Sequence, residues 1–194
     1  MIRITHYALL ATLVLAALPV TALAQPHHHH DVVIGRSSQM VLKVEAPQEP
    51  AVLEPTAPGA PIPGWSGNMP GFEALEEDEP GEDFWKLDPG ALIELEVLSL
   101  SNGLRMFDHT FNELQVGSRW VLGGHELHIH GLWIIDRTVN PDPLLNPAEG
   151  LFLVRDLGTT GYGPAAPFGL TFIPEPASAL LLALAALVHL RRRG

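Results

Sequence analysis

Downstream of residue 90, apolar and polar side chains alternate in short runs. Ile93, Leu95 and Val97 fall on one parity, Glu94 and Glu96 on the other, which is the period of two expected of a half-buried strand. Residues 104–107, 120–122, 125–135, 150–156 and 168–173 read as further strands. Asn102-Gly103 tolerates positive φ at both positions and predicts a hairpin turn, and Gly123-Gly124 predicts a second tight hairpin. Upstream, residues 31–34 and 39–45 flank Gly35-Arg36-Ser37-Ser38 and predict another hairpin, with Met40, Leu42 and Val44 alternating against Val41, Lys43 and Glu45. No segment between residues 25 and 173 carries a convincing amphipathic helical period. The fold class expected is therefore all-β, an antiparallel β-sandwich of jelly-roll-like kind. One stretch breaks the pattern. Pro47, Pro50, Pro55, Pro58, Pro61, Pro63 and Pro70 crowd residues 46–71. Proline lacks a ladder donor, so an extended surface segment is expected there, pinned by Trp65 and Phe72. Residues 73–83 are dominated by Asp and Glu and read as a solvated loop.

The two ends have a different character. Residues 1–24 combine Arg3, an apolar stretch over 8–18 and the small-x-small run Ala22-Leu23-Ala24, the features of a secretory signal cleaved after Ala24. Sec-type export and signal peptidase are the partners this implies. At the other end, Pro174-Glu175-Pro176 precedes an apolar run over 177–190 and the terminal Arg191-Arg192-Arg193. As a helix that run reaches about 21 Å, short of the roughly 30 Å hydrocarbon core. It suits a temporary membrane stop, with the arginines held on the cytoplasmic side. The expected organisation is a signal peptide (1–24), a His-rich start with a hairpin (25–45), a proline-rich then acidic segment (46–83), a β body (84–173) packing with 31–45, and the tail (174–194).

This order of Pro-Glu-Pro, short apolar helix and arginine cluster resembles the PEP-CTERM sorting signal of bacterial surface proteins. The resemblance implies recognition by an exosortase, removal of the tail, membrane contact through the C-terminal helix before processing, and final residence at the cell surface or in the extracellular matrix.

Charge and cysteine content narrow the chemistry. The chain has 22 acidic and 11 basic residues, a formal net charge of −11, and no cysteine. So acidic a chain is a poor ligand for nucleic acid and a good one for cations. Disulfides and thiolate metal sites are excluded, leaving imidazole and carboxylate as metal donors.

Histidine supplies candidates in two places. In a strand, His128 and His130 project from one face, His125 lies beside the Gly-Gly turn, and Asp136 shares their parity. Near the start, His27, His28, His29 and His30 run into Asp31. Such N/O donors suit zinc, and also copper, nickel or iron. His109 is a weaker candidate. The runs HHDVVIG (29–35), HIHGLWII (128–135), LFLVRDLGTTGY (151–162) and PFGLTF (167–172) are similar to a group of PEP-CTERM proteins whose synthesis is controlled by a zinc-responsive repressor. That resemblance implies zinc handling at the surface. No His-Glu-x-x-His, Gly-x-Ser-x-Gly or phosphate-binding glycine loop occurs, and a cupin-like site lacks its downstream Glu. The expected function is a non-enzymatic protein binding zinc or another divalent metal. The alternative is a structural or adhesive matrix component, with exopolysaccharide as partner and metal binding incidental.

Overall fold

The computed structural model describes residues 31–175. The segment expected to be a signal, with Ala22 and Ala24, the histidines 27–30, Pro176, the run 177–190 and Arg191, Arg192 and Arg193 lie outside the described residues. The chain between is all-β in two sheets. Its strands are β1 (Val32–Arg36), β2 (Leu42–Glu45), β3 (Ala51–Pro55), β4 (Gly64–Gly67), β5 (Phe72–Ala74), β6 (Ile93–Ser101), β7 (Leu104–Phe107), β8 (Glu113–Leu114), β9 (Arg119–Gly123), β10 (His128–Ile129), β11 (Leu132–Asp136), β12 (Ala148–Asp156) and β13 (Phe168–Pro174). A small sheet runs β10-β5-β1-β2, and a large one runs β8-β7-β11-β4-β3-β13-β12-β6-β9. The large sheet curls towards a barrel, as strongly twisted sheets of this width tend to do. Pairing is antiparallel except for β1 with β5 and β13 with β3, so both sheets are mixed rather than purely antiparallel.

Alternation translates directly into the core. Ile93, Leu95 and Val97 are buried on the inner face of β6, while Glu94 and Glu96 on its outer face meet Arg119 and Arg155 of the flanking strands. The centre is aromatic. Trp133 packs on Phe172 at 4.7 Å and edge-on to Phe152 at 5.7 Å, and Phe72 of the small sheet touches both Trp133 and Trp120. This cluster joins the two sheets.

Four local expectations are corrected. The proline-rich stretch supplies β3, a central strand of the large sheet, whose Leu53 is fully buried. Its prolines sit at the margins: Pro50 precedes β3, Pro55 ends it and Pro63 precedes β4. The donors needed inside β3 are therefore retained. The Asn102-Gly103 turn forms, with φ of 52° and 75°, but β6 pairs with β12 and β9 while β7 pairs with β11 and β8. The turn is an arch between separate ladders, held by Asn102 Nδ2 to Pro147 O and Asn140 Nδ2 to Asn102 O. The Gly123-Gly124 turn likewise joins strands that pair elsewhere, β9 with β6 and β10 with β5. Residues 125–135 divide into β10 and β11, because the chain changes sheets across His130-Gly131. The first hairpin does form, in the register Val33↔Glu45 to Arg36↔Leu42.

Candidate metal centre

Register in the small sheet places the site. Val33 of β1 and His128 of β10 both lie opposite Glu73 of β5. Carrying both registers one step outward brings Asp31, Gly71 and His130 into the next row on the same face. The opposite face carries Val32, Phe72 and Ile129 into the core. Neighbouring strands are about 4.8 Å apart, so Asp31 and His130, on the two flanking strands, must reach over the middle one. They can do so because Gly71 lies between them. A Cβ there would stand 2.5 Å from His130 Nδ1 and 2.6 Å from its Cε1.

The side chains converge above this glycine. His128 Nε2 and His130 Nε2 are 3.0 Å apart, and Asp31 Oδ2 lies 3.7 Å from each. Asp31 is nearly buried, with 9 % of its side chain exposed against 62 % for His128. Backbone groups of one short loop fix the set. Gly71 N–H donates to Asp31 Oδ1 at 2.6 Å, leaving Oδ2 to face the imidazoles. His130 Nδ1 is 3.1 Å from Asn68 O. A carbonyl only accepts, so Nδ1 carries the hydrogen and the Nε2 lone pair points into the cluster. His128 Nε2 faces the same point, and ligating a cation there places the hydrogen of that ring on Nδ1. Pro70 O, in the same loop, accepts from the buried indole of Trp133 at 2.8 Å, tying the loop to the core. Such outer contacts orient metal ligands and set their tautomer.

The triangle fits a small cation. Tetrahedral zinc with bonds of about 2.0–2.1 Å has ligand atoms roughly 3.3–3.4 Å apart, and the separations of 3.0 and 3.7 Å bracket that value. Two imidazoles and a carboxylate suit zinc, with copper, nickel and ferrous iron as chemical neighbours. Beside His128 opens a cleft of about 360 Å³ bordered by Glu73, Glu76, Lys86, His125 and Glu126.

Of the residues singled out in the sequence, His128 and His130 meet, and Asp31 joins them. His125 stays outside the triangle, on the cleft wall, 3.7 Å from Glu126. Asp136 also stays outside the triangle: its carboxylate accepts from Thr138 and lies 3.6 Å from Arg105. The Thr138 hydrogen bonds hold its pKa below the ordinary value against the opposing effect of burial. His109 stacks on Trp120 at 6.0 Å. Pro174 is the last residue of β13 and buried, and Glu175, exposed, donates its N–H to Leu53 O at 2.7 Å. Sequence reasoning missed Asn68 and Gly71, whose contribution is backbone geometry rather than side-chain chemistry. Among the described residues no helix is long and apolar enough to cross a membrane. Compared with known proteins, the chain matches no family model, no curated protein and no solved structure.

Proposed function

We propose that this is an exported, exosortase-sorted surface protein that binds zinc or a similar divalent cation without catalysing a reaction. The observation that carries the metal reading is the convergence of Asp31, His128 and His130 within 4.8 Å of one another. A second support is the fixed orientation of the Asp31 carboxylate and the His130 ring by Gly71 N–H and Asn68 O. Export and sorting rest on the sequence features of residues 1–24 and 174–194, with signal peptidase, Sec-type machinery and exosortase as partners. His27, His28, His29 and His30 directly precede Asp31 in the sequence and offer a further, loosely binding and exchangeable set of imidazoles.

The test is calorimetric titration of zinc into the exported chain, into a form lacking residues 27–30, and into His128→Ala. One ion bound at micromolar affinity or better by the first two, and lost in His128→Ala, supports a formed centre. Binding that disappears with residues 27–30 and survives His128→Ala refutes it. Absence of zinc binding together with chelator-independent binding to exopolysaccharide establishes the structural or adhesive alternative.

A further inference from the structure

We propose that Glu73 closes the centre as a fourth protein ligand, making it a site of two histidines and two carboxylates. The inference rests on the metal reading above and concerns what fills the coordination position that Asp31, His128 and His130 leave. Glu73 lies directly opposite His128 in the β5–β10 ladder, where facing Cβ atoms are about 5 Å apart. It also stands one row along β5 from Gly71, on the face that carries the site. Asp31 approaches from the β1 side, the histidines approach from the β10 side, and the Gly71 backbone forms the floor. Among the described residues two directions remain, outward to solvent and along β5 to Glu73, whose carboxylate stands outside the 4.8 Å cluster and joins it by a change of side-chain rotamer. The glutamate has one methylene more than Asp31, and it lines the cleft beside His128 half-buried.

Charge favours the second direction. A divalent ion on two neutral imidazoles and one carboxylate retains a net positive charge next to the nearly buried Asp31. Burying an unbalanced charge is costly. A second carboxylate makes the set neutral, and of the acidic residues along the cleft only Glu73 stands in the row of His128. Two nitrogen donors with two carboxylates select zinc or a similar transition-metal ion over calcium and magnesium, which prefer all-oxygen sets.

The test uses the full chain with zinc alone as probe, comparing wild type, Glu73→Gln and His128→Ala. Glu73→Gln keeps the shape and removes the charged donor. It is expected to weaken zinc binding on the order of 100-fold, at the upper end of the loss that even an outer-shell partner produces. A second measurement needs no variant. In wild type, the side-chain carboxyl carbon resonance of Glu73 is expected to shift on zinc saturation, together with that of Asp31. A merely structural glutamate would not move in this way. Wild-type affinity in Glu73→Gln, or a Glu73 resonance unmoved while that of Asp31 shifts, overturns the fourth-ligand assignment and leaves the three-residue centre standing. A wild-type protein that binds no zinc overturns both.

Discussion

Gly71→Ala is the sharpest probe of how the centre is built, because it adds one methyl group and removes no donor. The new Cβ would stand 2.5 Å from His130 Nδ1, 2.6 Å from Cε1 and 2.9 Å from Cγ. Carbon packs at about 3.5–4.0 Å, so the ring must withdraw by roughly 1 Å. Withdrawal breaks the 3.1 Å contact with Asn68 O, which sets the tautomer. It also carries Nε2 out of a triangle whose shortest edge is 3.0 Å. Functional constellations tolerate displacements of only about 0.5 Å. Losing an outer-shell contact costs a factor of 10–100 in metal affinity. The expected change is therefore about 100-fold, or about 2.8 kcal/mol of binding free energy. Folding should suffer less, because the His130 side chain is 30 % exposed and can swing outward, and because residue 71 does not adopt positive φ. Zinc competition against a chromophoric chelator measures the affinity, and urea denaturation of the metal-free protein measures the fold. Zinc affinity within threefold of wild type would refute the placement of Gly71 beneath His130.

Other outcomes follow from the same structure. Leu53→Ala, within the proline-rich stretch, should cost 2–5 kcal/mol in urea denaturation, the range for a fully buried leucine, whereas a surface segment would register almost nothing. Trp133→Phe leaves Pro70 O without its indole donor and should destabilise the fold by about 1–3 kcal/mol, lowering zinc affinity as the 68–71 loop loosens. Asp156 gives a pH dependence. Burial raises its pKa, but hydrogen bonds from Leu92 N, the Thr160 hydroxyl and Gly158 N outweigh that and hold it below 3.8. A depressed folded-state pKa contributes stability that is complete above the unfolded value and is lost as pH falls through the folded one. Thermal stability should therefore drop below about pH 4, and less steeply in Asp156→Asn. An equal slope in the variant would remove Asp156 from the account.

The sequence by itself determined which residues face inward. Alternation along 93–97, 150–156 and 168–173 specifies strand faces locally, because successive side chains point to opposite sides whatever the strand pairs with. For the same reason His128 and His130 were readable as sharing a face, and the absence of cysteine confined metal donors to nitrogen and oxygen. Tertiary structure decided which strands pair. Asn102-Gly103 fixes a change of direction through its positive φ values, yet that geometry serves an arch as readily as a hairpin. The partner is chosen by burial of Trp133, Phe152 and Phe172. Counting prolines misjudged β3, since a proline removes only its own donor and these stand at strand ends. The third donor was equally a matter of pairing. Asp31 reads in the sequence as the end of a histidine run, and the parallel pairing of β1 with β5 alone carries it across to the histidines of β10. Gly71 left no sequence signal, because its contribution is the space that a side chain would have filled.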